Sequence, residues 1–88
     1  MNLGKAIYEI RKQKNITQKD LAARCDLSIP ALSCIERGKS NPSYKTVGVI
    51  AKGLGVTEGH LVLMALEDND IKPEKLPFFQ MLKGVLSD

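Results

Sequence analysis

The sequence predicts an all-α fold, a bundle of short helices. Three observations predict it. Apolar residues recur at spacings of three and four in one segment after another, the signature of a helix with a single buried stripe. Each of four such segments is preceded by a hydroxyl residue, Thr17, Ser28, Ser43 or Thr57, of the kind that caps a helix N-terminus. No segment sustains the alternation of period two that a strand requires.

Taken in order, Asn2 caps a first helix whose stripe is Leu3, Ala6, Ile7 and Ile10, ending near Lys14-Asn15, where asparagine suits a left-handed stop. Thr17-Gln18-Lys19-Asp20 reads as a capping box opening a second, two-turn helix with Leu21, Ala22 and Cys25 inward, broken at Asp26-Leu27. Ser28 caps a third, with Pro30 in its first turn, where a missing N–H costs little. Leu32 and Ile35 form its buried side and Ile29, Ser33 and Arg37 the opposite one, and Gly38 ends it. Ser43 caps a fourth helix expected to bury Tyr44, Val47, Ile50, Ala51 and Leu54 and to stop at Gly55. Thr57 caps a fifth, with Leu61, Val62 and Ala65 inward and Met64 a further candidate for that side. The polar segment 67–75 reads as a linker, and 76–88 as an amphipathic sixth helix with Phe78, Phe79, Leu82, Val85 and Leu86 on its stripe.

At 88 residues the chain has room for one core. Its net charge of +3 conceals a division: residues 1–55 carry ten Lys/Arg against four acids, a balance of +6, whereas residues 56–88 carry −3. A basic front points to a polyanionic partner for that part alone. The longest apolar run, Leu61–Leu66, is far short of the ~20 residues of a membrane span, and the N-terminus has no signal-peptide pattern. The expected location is the cytoplasm. Two cysteines and one histidine cannot furnish a four-ligand zinc site, and no nucleophile-base arrangement stands out, so neither metal, cofactor nor enzymatic activity is expected. Cys25 reads as a small core residue and His60 as a surface one. No small-molecule ligand is evident.

Two short helices joined by a turn of about four residues form a helix-turn-helix. The major groove of duplex DNA admits one helix. A third helix with one buried side and one free side, held out by the second, meets that requirement. The blocks Thr17-Gln18-Lys19-Asp20-Leu21-Ala22, Leu27-Ser28, Leu32 to Ser43 and Ile50 to Val56, in this order and spacing, resemble the Cro/CI-type (Xre-like, lambda-repressor-like) helix-turn-helix domain of phage repressors and small bacterial regulators. The resemblance spans roughly residues 3–66 and implies a five-helix bundle over 1–66, with the sixth helix added.

It also implies function: a transcriptional regulator, with double-stranded DNA as partner, acting as a homodimer on a roughly palindromic site. Residue by residue, Thr17 and Gln18 match the start of the second helix, where the glutamine contacts a phosphate and braces the recognition helix. Ser28 matches the recognition-helix cap. Ile29, Pro30, Ser33, Cys34 and Arg37 match groove-facing positions, and Lys39, Ser40 and Asn41 the loop that follows the DNA backbone. Arg11 and Glu36 match a buried structural ion pair. Ile29 and Pro30 stand where amide or basic side chains are common, so direct base readout looks thin and DNA shape is expected to contribute. The apolar sixth helix is expected to form a dimer interface or to pack on the bundle. The alternative function is a protein-interaction module on the same fold, as in antitoxins or phage-encoded partners.

Overall fold

The computed structural model of the chain describes residues 1–87; Asp88, the end of the expected 76–88 segment, lies outside the described residues. Six α-helices follow one another: α1 (Leu3–Gln13), α2 (Gln18–Arg24), α3 (Ile29–Glu36), α4 (Tyr44–Leu54), α5 (Glu58–Ala65) and α6 (Leu76–Ser87). No strand occurs among the described residues.

Every one of the five bundle helices starts on a side-chain cap. Asn2, Thr17, Ser28, Ser43 and Thr57 each accept from the backbone N–H three residues on, at 3.0–3.2 Å. Four of the helices also end alike. Asn15, Asp26, Gly38 and Gly55 adopt φ of 57°, 55°, 75° and 76°, and the next residue donates its N–H back across the last turn: Ile16 to Arg11, Leu27 to Ala22, Lys39 to Cys34 and Val56 to Ala51. This paired closure satisfies carbonyls that the helix leaves open, and it normally tucks an apolar side chain against the last turn. Ile16, Leu27 and Val56 pack on the core in this way. At the end of α3 the corresponding residue is Lys39, and it is exposed.

The core runs through the middle of the bundle, with Ile7, Ile10, Leu21, Leu32, Ile50, Leu54 and Leu61 almost wholly removed from solvent. Cys25 joins it; burial pushes its thiol pKa up, as expected for a thiol used for packing. Two expected core residues are not there. Tyr44 is the most exposed large apolar residue of the chain, because it occupies the first position of α4, where the side chain overhangs the turn before the helix. In α5, Met64 is buried and Val62 faces outward.

Helix α1 reaches α3 through a glycine. A Cβ at Gly4 would overlap the carbonyl oxygen of Ile35 and lie 2.8 Å from that of Glu36, both backbone atoms. Gly4→Ala should therefore push α1 and α3 apart and lower stability by about 1–3 kcal/mol despite alanine's better helix propensity. Urea denaturation would measure it, and an unchanged midpoint would contradict the close approach.

The segment 67–75 is structured as two single 3₁₀ turns, Asp68–Asp70 and Pro73–Lys75. The Met1 ammonium pairs with Asp70 at 2.7 Å and with Glu67 at 3.4 Å. The bond to Asp70 raises the amine pKa and lowers that of the carboxyl. Lys83 Nζ donates to the Leu66 carbonyl at 2.5 Å, and Gln80 to Asp68 at 3.2 Å, so α6 returns onto α5. Phe79 is 4% exposed and Leu86 packs on the core, while Leu82 is half-buried. Phe78 and Val85 point away from the bundle. The five residues expected on one stripe thus divide between two faces, because neighbours in sequence such as Phe78 and Phe79 stand about 100° apart around a helix.

Candidate nucleic-acid interface

The site is built on α2 and α3, joined by residues 25–28. Its anchor is a polar cluster at the far end of α3. Glu36 has a side chain only 3% exposed, and Arg11 one 8% exposed. The Arg11 guanidinium meets the Glu36 carboxylate in two parallel bonds, Nε to Oε2 at 2.8 Å and Nη2 to Oε1 at 3.0 Å. Its third bond, Nη1 to the Ile16 carbonyl at 3.0 Å, fixes the loop that leads into α2. Gln18 Nε2 donates to Glu36 Oε1 at 3.0 Å. One carboxylate therefore ties α1, α2 and α3 together, and the geometry matches guanidinium to carboxylate in the bidentate fork that favours arginine.

Gln18 is thus a brace between α2 and α3. Its amide nitrogen retains a second hydrogen, and the adjacent backbone N–H groups of Gln18 and Lys19 are left over by the cap. Thr17 is exposed beside it.

On α3, Leu32 and Ile35 are buried and set the helix's roll. Ile29, Pro30 and Arg37 are then exposed, and Ser33 and Cys34 are half-buried between them. The first turn offers an anion little. Pro30 has no N–H, and Ser28 already accepts from Ala31, which leaves the Ile29 N–H. Arg37 lies back along its own helix, donating from Nε to the Ser33 carbonyl at 3.3 Å, with Nη2 3.9 Å from Cys34 Sγ. Lys39, Ser40 and Asn41 follow, all exposed. The structure therefore leaves one face of α3 open and continues it into a loop led by a lysine. Tyr44, which sequence patterning placed inward, stands fully exposed at the first position of α4, just after this loop; the Ser43 cap, which fixes the helix start, was the signal available for it.

The sequence matches the helix-turn-helix family model over residues 7–61. The chain belongs to the Cro/CI-type helix-turn-helix family. Within curated proteins, it is 37% identical over 57 residues to the HTH-type transcriptional regulator DdrOP3 of Deinococcus deserti, a stretch covering 65% of this chain and 44% of that one. It is 39% identical over 62 residues to the immunity repressor protein of Bacillus phage phi105, covering 70% and 43% respectively. The control protein C.BamHI of Bacillus amyloliquefaciens is 43% identical over 54 residues, covering 60% of this chain and 67% of that protein. The chain spans less than half the length of the first two relatives. All three matches are of a size to fall within the helix-turn-helix bundle. No single helix among the described residues is long and apolar enough to cross a membrane.

Proposed function

We propose that this chain is a sequence-specific DNA-binding transcriptional regulator, not an enzyme, that acts in the cytoplasm as a homodimer on a roughly palindromic operator. One observation carries the reading: the α3 face opposite Leu32 and Ile35 is open, braced from behind by Gln18 and Glu36, and runs into a loop whose first residue is an exposed lysine where three other helix ends bury an apolar side chain. In this reading α3 enters the major groove, Ile29 packs on a thymine methyl, Arg37 and Ser33 reach polar edges or backbone, and Gln18 with Lys39-Ser40-Asn41 holds phosphates. The names of the relatives, a transcriptional regulator, a repressor and a control protein, support regulation over catalysis.

The test is selection of binding sites from a random duplex pool, then gel shifts across a salt series. A palindromic sequence should enrich, and log affinity should fall linearly with log salt, by about 0.9 for each phosphate neutralised. No enrichment, or binding indifferent to salt, would defeat the reading. A second reading, a protein-interaction module, draws on the exposed apolar pair Ile29 and Pro30 at the start of α3. It requires a stoichiometric protein partner that buries α3 and competes with DNA.

A further inference from the structure

The open face of α3 is divided along its length. Its front half is hydrocarbon: Ile29, 44% exposed, with Pro30 exposed beside it. Neither side chain can give or take a hydrogen bond, and Pro30 has no backbone N–H. The hydroxyl at this end, Ser28, is held as the helix cap, accepting from the Ala31 N–H at 3.1 Å. Polar groups follow only about a turn later, as the half-buried Ser33 and Cys34. Beyond them Arg37 turns its guanidinium back onto the Ser33 carbonyl and the Cys34 sulfur. The front half is also rigid. Leu27, just before it, packs on the core, Pro30 fixes the backbone of the first turn, and a β-branched side chain in a helix keeps essentially one rotamer.

In the major groove the base-pair edges differ in their donors and acceptors and in one apolar group, the C5-methyl of thymine. A surface without donors or acceptors reads that group alone. 5-Methylcytosine carries the same methyl at the same place. The two bases differ at C4, where one has an oxygen and the other an amino group. Each sets one polar atom toward the groove, and neither finds a partner on Ile29 or Pro30, so desolvation does not separate them. Unmodified cytosine presents the same amino group without the methyl.

We infer that the front half of α3 recognises C5-methylated pyrimidines as a class, taking thymine and 5-methylcytosine alike and binding unmodified cytosine more weakly. Ile29 is the discriminating residue. The inference rests on the DNA-binding reading and goes beyond it, because it makes affinity respond to cytosine methylation at that position of the site. One buried methyl is worth about fourfold in affinity, so a site with two such positions spans about fifteenfold between its unmethylated and methylated cytosine forms.

Two random duplex pools test this, one ordinary and one with every cytosine methylated at C5. At the positions facing Ile29, the ordinary pool should enrich thymine, and the methylated pool thymine and cytosine together. Gel shifts on the selected duplex then replace single thymines by uracil, which removes the methyl and keeps every hydrogen-bonding group. At one or two positions affinity should fall about fourfold. There a C·G pair should bind like the uracil duplex, and a 5-methylcytosine·G pair like the thymine one. Ile29→Ala, its fold checked by circular dichroism, should bind the four duplexes alike. Lys39→Ala should weaken all four and keep the differences among them. Uracil equal to thymine at every position, 5-methylcytosine no better than cytosine, or an Ile29→Ala protein that keeps the differences overturns the inference and leaves the DNA-binding reading standing. No enriched duplex in either pool overturns both.

Discussion

Arg11→Ala is expected to lower the stability of this chain by about 3–5 kcal/mol, one of the two largest effects foreseen for any single substitution in it. The reason is what the guanidinium leaves behind. Glu36 is almost wholly buried and would keep a single strong donor, Gln18, while the Ile16 carbonyl would lose its bond to Arg11. An uncompensated buried charge is far more expensive than the intact pair is favourable. The cost should therefore not be additive. In a double-mutant cycle with Glu36→Ala, the second substitution removes the orphaned carboxylate, and the coupling between the two should reach 0.5–3 kcal/mol. Urea denaturation of the four proteins measures this. A coupling near zero would mean that the bidentate contact contributes nothing specific. Because the total stability of a domain is about 5–15 kcal/mol, Arg11→Ala alone could leave a large unfolded fraction at 37 °C. Loss of DNA binding in that variant would then report on folding and not on a DNA contact.

The cluster also changes what Gln18 means. The family resemblance gives it two roles, a phosphate contact and a brace on the recognition helix, and a phosphate contact alone would leave the fold intact when it is replaced. The structure gives it a hydrogen bond to a buried carboxylate, a kind of bond worth roughly 1.5–3 kcal/mol. Gln18→Ala should be both less stable and weaker on DNA, and only binding measured well below its melting temperature separates the two.

What the sequence makes legible follows a physical division. Helix ends were legible, because caps and left-handed stops are local: Thr17, Ser28, Ser43 and Thr57 cap, and Asn15, Gly38 and Gly55 turn, through contacts within a few residues. Most of the core was legible from periodicity. The misreadings fall where periodicity has little to work on. In α5 the run Leu61–Leu66 is apolar throughout, so no polar residue marks the outer side, and Val62 could not be told from Met64. In α6 two apolar faces lie side by side, and a single stripe cannot describe them. Gly4 was silent for another reason. A glycine in a helix reads as a weak point until the backbone of Ile35 and Glu36, some thirty residues away in sequence, is seen against it. The same holds for the Met1 ammonium on Asp70: an exposed ion pair between distant residues leaves no periodic trace. For the site, the open face of α3 was legible from Leu32 and Ile35, whereas the lie of the exposed Arg37 back along its own helix was not.

Leu32→Ala is the other large effect, about 2–5 kcal/mol. Leu32 is fully buried on the inner side of α3 and sets the roll of that helix, so truncation leaves a cavity under the very helix that is proposed to enter the groove. For a domain of this size each kcal/mol corresponds to roughly 4–8 °C, so a loss near 3 kcal/mol should lower the melting temperature by roughly 12–24 °C. Arg37→Ala supplies the contrast. Its side chain is exposed and its bonds, at 3.3 Å to a helix carbonyl and 3.9 Å to a thiol, are long. Surface changes of this kind usually stay within about 0.5 kcal/mol. The pair should therefore dissociate the two properties: Leu32→Ala loses fold and binding together, with binding recovered on cooling below its transition, whereas Arg37→Ala keeps its melting temperature and loses affinity. If Arg37→Ala instead melted low and bound normally, the guanidinium would be a cap for the last turn of α3, and the DNA-facing surface would have to be sought nearer Ile29 and the α2 N-terminus.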